Sequence, residues 1–311
     1  MRKIVFLFAI FFSLSSFAQR HDLGFHSGIS YYLGDLIPVR HFGLPSANFG
    51  LIYRYEANKR IAVRLAANHG QVKGDSRLNK KSLRYKNLSF FSPLTSIDMG
   101  IEINFLEFEA GKDRNRFTPF IFGGVSVFKF NPQVEYNGRV YELQPLGTEG
   151  QGTTAYPDRD PYKLMSWSIP FGGGLKLSLG RIVTIGLDWT VHKTFTDYLD
   201  DISTTYPDPV LLAAEKSPVA AMLSIRRYED WAYLQGLNIS LGRDGQPLNQ
   251  DDYRAYLEKL TESNGSQRGN SENKDWYGIA GFTITFKIVG PKKSTCPAYK
   301  KHFYFKEYKL F

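Results

Sequence analysis

Between Ile97 and Phe105 every second residue is large and apolar, and the residues between them are Asp98, Gly100, Glu102 and Asn104. A repeat of two puts these sets on opposite faces of a strand and gives a helix no apolar stripe. Six further stretches share the alternation: 23–31, 48–55, 61–68, 167–179, 183–192 and 282–288. An eighth, 117–130, is apolar on both faces, so its phase is ambiguous. The links between them discriminate a barrel from a soluble sandwich. Those at 56–60, 107–116 and 180–181 are short, and those at about 34–46, 73–92, 131–165 and 196–274 are long. Strict alternation of short and long gathers every short turn at one end, which is the asymmetry of outer-membrane barrels. The spacing predicts an all-β fold: an eight-stranded antiparallel transmembrane outer-membrane β-barrel over 19–289, set among outer-membrane lipids, with long extracellular loops and both termini in the periplasm.

The N-terminus agrees with export. Arg2-Lys3 precede an apolar run from Ile4 to Phe12, and Ser16-Phe17-Ala18 offers a small-x-small site before Gln19. Residues 1–18 read as a Sec signal peptide cleaved between Ala18 and Gln19. Its removal takes two basic residues from 39, so the mature chain carries 37 − 30 = +7. No later run approaches the roughly 20 apolar residues of a spanning helix; the longest is Val219 to Ile225. The single Cys excludes a disulfide framework, a Cys-based zinc site and an iron–sulfur cluster held by this chain alone. With 24 Phe and 19 Tyr, disorder is excluded as well.

Eight strands enclose little space, and such an interior is filled by side chains. The strand phases place Arg64, Asp98, Glu102, Lys176, Asp188 and His192 in the lumen. They could line a pore or proton path, but an internal salt-bridge plug is the reading that small-barrel geometry favours. The last long link, 196–274, has 79 residues with 13 acidic against 8 basic, and helices are expected at about 252–262 and 210–216. Asp197, Asp200 and Asp201 cluster at its start in TDYLDDIS. A calcium site is conceivable there, but the spacing is not that of an EF-hand, and a strand-to-loop cap is the commoner use.

After the last strand, residues 290–311 form a periplasmic tail of net charge +5. Lys292, Lys293, Lys300 and Lys301 are interleaved there with Tyr299, Phe303 and Phe305. Basic and aromatic residues together suit single-stranded nucleic acid, a partner absent from the periplasm, so these residues are expected to dock on an acidic protein surface. Cys296 lies in this Lys-rich segment. It packs as a small hydrophobe or, with lysines favouring its thiolate, forms a disulfide with a periplasmic partner, which is the outcome expected here. Neither HExxH, GxSxG nor a Walker sequence occurs, the six His are scattered, and GGG at 172–174 lies inside a strand. Neither an enzyme nor a cofactor or metal is expected.

Several stretches together resemble the PorG family, the outer-membrane barrel of the Bacteroidetes type IX secretion system: SYYLGDL at 30–36, TPFIFGGVSVFKFNP at 118–132, TFTDYLDDISTTY at 194–206, DWYGIAGFTITFKI at 275–288 and KSTCPAY at 293–299. The resemblance implies association with a periplasmic ring of a PorK-like lipoprotein and a PorN-like protein, and a part in secretion and gliding motility. It also makes the PorK-like lipoprotein the first candidate partner for Cys296. The alternatives are a small pore and a surface-binding barrel.

Overall fold

A computed structural model of the chain describes residues 20–38, 41–78 and 81–288. Eight long strands form the wall: β1 (His21–Leu33), β2 (Ser46–Glu56), β3 (Ile61–Asp75), β4 (Ser89–Asn104), β5 (Phe117–Phe130), β8 (Met165–Ser178), β9 (Val183–Thr194) and β10 (Trp276–Lys287). A small hairpin, β6 (Gln133–Tyr136) and β7 (Arg139–Glu142), rises from the β5–β8 loop. The wall runs β3-β2-β1-β10-β9-β8-β5-β4, all antiparallel, and pairing of β3 with β4 from Ile61↔Ile103 to Asp75↔Ser89 closes it. Short turns at 57–60, 105–116 and 179–182 lie at one end, and the long loops 34–45, 76–88, 131–164 and 195–275 at the other. The described chain begins and ends at the short-turn rim, where Ile288 N donates to the His21 carbonyl. The expected eight-stranded barrel is the fold observed.

The alternation sorts residues between two environments. On β4, Ile97, Met99, Ile101 and Ile103 face out, and Ser96, Asp98, Glu102 and Asn104 are buried inside. Leu23 and Phe25 on β1, Phe49 and Leu51 on β2, Trp167 and Phe171 on β8, Leu187 and Trp189 on β9, and Phe282 and Ile284 on β10 continue the exposed apolar surface around the wall. A wall this apolar far exceeds the patches that water-soluble monomers expose; it is the outer face of a membrane barrel, with the polar residues within. No helix among the described residues is long and apolar enough to cross a membrane.

The ambiguous fifth segment is settled by the lumen. Phe120, Phe122, Phe128 and Phe130 point inward, while Ile121 and Val125 point outward. Two of the inward rings lie against lumen cations: Arg64 sits 4.8 Å over Phe122, and the Lys176 ammonium 5.3 Å from the Phe120 centroid. A polar-in pattern fails on this strand because the cations opposite are met by aromatic faces. The triple glycine is a close-approach feature: a Cβ on Gly172 would lie 2.0 Å from the Trp189 carbonyl oxygen, and one on Gly174 2.2 Å from that of Leu187.

Above the long-loop end the loops fold together into a cap with its own apolar core. The last loop supplies α1 (Pro209–Glu215), α2 (Pro218–Ser224), α3 (Glu229–Leu234) and α4 (Gln250–Leu260). Three of them start on a side-chain cap: Asp208 accepts from Val210 N, Ser217 from Ala220 N and Asn249 from Asp251 N. Tyr206, Val219, Met222, Leu223, Ile225, Tyr253, Tyr256 and Leu260 pack with Val134 and Leu143 from the β5–β8 loop, and with Phe128, Phe130 and Tyr277 from the barrel rim. The sequence predicts two helices in this loop, now α1 and α4, and the structure adds α2 and α3. The α2 segment overlaps the apolar run 219–225 and is buried from Val219 to Ser224, so it carries no periodic stripe by which to be recognised.

Candidate functional site

The barrel interior holds a connected ionic network. Arg54 Nε donates to Glu102 Oε2 at 3.0 Å, and the Lys176 ammonium donates to Glu102 Oε1. Arg64 reaches Asp188 at 2.5 Å and Glu102 at 4.0 Å. His26 Nε2 lies 3.5 Å from Asp188. Asp98 accepts from Asn68 Nδ2 at 2.8 Å and from Ser126 Oγ at 2.5 Å. His192 Nδ1 lies 4.0 Å from Asp98, with its ring stacked on Tyr277 at 4.2 Å. Thus Arg64, Asp98, Glu102, Lys176, Asp188 and His192 all lie in the lumen, as the strand phases require. Arg54 and His26 join them. Both lie on the inward phase of their strands, which was the available signal for them.

Three cations, Arg54, Arg64 and Lys176, share the lumen with four buried carboxylates: they pair with Glu102 and Asp188, Asp98 accepts from Asn68 and Ser126, and Asp22 lies in register with Arg54 on the neighbouring strand. Pairing is what makes such burial tolerable, since a lone charge there carries several kcal/mol of desolvation cost. The space left among His26, Arg64, Asn68, Asp98, Phe122 and Asp188 is about 10 Å³, room for no more than about one water. At the short-turn end Phe108 folds under the lumen, with the Lys176 ammonium 4.8 Å from its ring. Below it opens a bowl of about 720 Å³ lined by Arg20, Glu56, Lys59, Arg181 and Lys287.

The cap has a second buried polar centre, built around the acidic loop motif. Asp200 Oδ2 accepts from the Tyr32 hydroxyl at 2.5 Å, and Oδ1 from Ile202 N at 2.9 Å. Asp275 accepts from Leu199 N at 2.9 Å and lies 3.2 Å from the same hydroxyl. Asp201 accepts from Thr148 and from the Tyr162 hydroxyl, the latter at 2.7 Å. Arg268, fully buried, bridges Asp201 and Glu149 at 3.4 and 3.1 Å, and Glu149 also accepts from Ser203 N and Thr204 N. Asp197 is buried beside this group. Burial first, and then the neighbouring carboxylates, hold Asp200 and Asp275 well above the usual carboxylate range. Burial pushes Asp197 up to about 7, against a smaller pull from Ser203. It pushes Asp201 up to about 6, against the pull of Arg268.

The motif is therefore a loop cap: Asp200 and Asp201 spend their oxygens on Tyr32, Ile202 N, Thr148 and Tyr162. Among the described residues no group of three or more His, Cys, Asp or Glu is arranged to hold a metal. Glu149, Arg268 and Asp275 complete the centre. The first two are 119 positions apart in separate loops and carried no sequence signal. The signal cleavage site at Ala18 and Gln19, and the tail residues Lys292, Lys293, Cys296, Tyr299, Lys300, Lys301, Phe303 and Phe305, lie outside the described residues.

Comparison with solved structures returns small barrels at low identity. Ail, the attachment invasion locus protein of Yersinia pestis, in complex with sucrose octasulfate, is 8% identical over 86% of this chain and 97% of its own, with a TM-score of 0.37. Neisserial surface protein A is 8% identical over 86% and 96%, with a TM-score of 0.38. The N-terminal barrel domain of Pseudomonas aeruginosa OprF is 10% identical over 86% and 97%, with a TM-score of 0.33. No curated protein matches the sequence. One family model does, over residues 1–210 and so across β1 to β9 and the start of the last loop: the chain belongs to the DUF6089 family, a domain of unknown function.

Proposed function

We propose that this barrel sits in the outer membrane as a non-enzymatic anchor that fixes a periplasmic assembly to it, with the short turns and both termini in the periplasm. The observation that carries this reading is the filled lumen. A barrel whose interior is filled by cations paired with carboxylates, and whose long-loop end is covered by a folded cap, offers no path for solute; its work is done at its ends. The resemblance of 30–36, 118–132, 194–206, 275–288 and 293–299 to PorG-like proteins supplies the partner: a ring of PorK-like lipoprotein and PorN-like protein serving type IX protein secretion and, with it, gliding. In this reading Cys296 forms a disulfide with the PorK-like lipoprotein, and the basic tail docks beside it.

The test is a pull-down of the tagged full-length protein from outer membranes, with non-reducing electrophoresis. Ring proteins should co-purify, and a high-mass band should collapse with reductant and vanish in Cys296→Ser. A Cys296 fully alkylatable in native membranes removes the disulfide, and capture without ring proteins removes the assembly role. Protease added to intact cells should cut the long loops only; cleavage at 57–60 or in 290–311 overturns the orientation.

A second reading has its own observation. The cap displays Tyr233 at 83% and Leu234 at 78% exposure on α3, as a surface-binding barrel would. Planar-bilayer recording separates both from a pore, for which a stable, ion-selective current is required.

A further inference from the structure

The charged residues that the eight strands turn outward are not spread over the wall. Lys73, Asp75, Lys129 and Lys193 all stand near the long-loop ends of their strands, and Asp75 is engaged by Arg77 at 2.7 Å. Lys129 and Lys193 are exposed and make no salt bridge among the described residues. They flank β8. Lys129 pairs in register with Met165, and Lys193 with Ile169, so the two are separated by two strand spacings and four residues, about 16 Å.

The wall between them is apolar and shaped. Met165 and Trp167 stand out at 61% and 60% exposure. On the far side Trp276 sets its ring at 87° to Phe171 with centroids 6.0 Å apart, across β9, where Val191 is only 9% exposed. The Lys193 ammonium sits 5.7 Å over that Trp276 ring. Each lysine thus stands beside apolar surface and presents its charge at the upper edge of the apolar band.

Resting on the orientation proposed above, we infer that this face of β5, β8 and β9 binds a phosphorylated glycolipid of the outer leaflet. Lys129 and Lys193 meet phosphates on a headgroup wide enough to span β8, and the acyl chains lie on Trp167, Ile169 and Phe171. Two lysines set so far apart favour one broad, multiply phosphorylated headgroup over a single-phosphate lipid. The same two ammonium groups would otherwise leave uncompensated charge facing the membrane boundary, where an anionic surface attracts each of them.

The test uses purified full-length protein in detergent, titrated by native mass spectrometry with diphosphorylated lipid A, the same lipid A dephosphorylated, and phosphatidylglycerol. Diphosphorylated lipid A should be retained preferentially. Lys129→Gln with Lys193→Gln should weaken that retention by roughly an order of magnitude, while Lys73→Gln on β3, three strands away from β8, should not. Thermal unfolding without lipid controls for folding and should be the same for all variants. Equal retention of dephosphorylated lipid A, or of phosphatidylglycerol, overturns the assignment, as does wild-type retention by the double variant. Because binding is read on isolated protein, its failure is distinct from a failure of the orientation, which intact-cell proteolysis reports.

Discussion

The lumen and the cap both bury charge, and they do it in opposite ways. In the lumen Arg54, Arg64 and Lys176 pair with Glu102 and Asp188, and every charged group, Asp22 and Asp98 included, comes from a strand. In the cap only Glu149 and Asp201 meet the fully buried guanidinium of Arg268, while Asp197, Asp200 and Asp275 are buried nearby and Lys86 donates to the Arg268 carbonyl at 2.6 Å. The lumen solves its electrostatics by pairing, the cap by backbone and hydroxyl donors and by raised proton affinity. A membrane wall leaves the lumen little water to fall back on, so its cations must find carboxylate partners there. A cap edge near solvent tolerates an acidic excess that protons can neutralise.

The largest way to break this contrast is to unbalance the lumen. Glu102→Ala strips Arg54 and Lys176 of the carboxylate with which each pairs and should cost about 3–5 kcal/mol, read as loss of the heat-modifiable folded band at lower urea. The Arg268→Met change in the cap should instead leave that band intact and open 195–275 to protease. Survival of the barrel in both cases would mean the lumen charges are solvated after all.

Next in size is the lipid face. Ile101→Arg should destabilise the barrel by about 2–4 kcal/mol if that position lies near the midplane, whereas Val140→Arg, on the exposed β7 hairpin of the cap, should be silent. Equal effects at the two sites would erase the distinction between wall and cap.

The pH response separates the regions locally. Asp197 and Asp201 take protons more readily in the folded cap than in an unfolded chain, with values near 7 and 6 against about 4. The folded cap therefore binds more protons, and the stability these two groups contribute is fully present below about pH 4 and is lost as pH rises through 6 to 7. Hydrogen exchange of cap amides, corrected for intrinsic rate, should be faster at pH 8 than at pH 5. An unchanged ratio would show that these carboxylates are already compensated. The smallest expected effect is Asp208→Ala, which removes the α1 cap and should cost about 1 kcal/mol, visible as exchange in 209–215 alone.

What was legible in the sequence follows the same division. Period-two alternation and link lengths specify strand number, closure and which residues face in, because a wall one residue thick has only two faces. Arg64, Asp98, Glu102, Lys176, Asp188 and His192 were readable for that reason. The phase of 117–130 was not, because Phe120 and Phe122 serve as partners for cations on other strands. The cap was read only in part. Asp197, Asp200 and Asp201 announce a polar centre, but Arg268, Glu149 and Asp275 reach it through tertiary contacts that no local pattern encodes, and α2 is too buried to be periodic.

The joining of the first wall strand to the last has a consequence for biogenesis. Asp22 pairs with Lys287, at nearly opposite ends of the described chain, and β10 follows the cap loop in sequence. That contact joins the first wall strand to the last in the sequence, so sealing of the cylinder waits on β10, which follows the most complex loop of the chain. Contacts this distant in sequence fold slowly. Until they form, β1 and β10 are two open edges, which gives cellular folding machinery a defined seam to hold and gives a stalled chain a defined place to mispair.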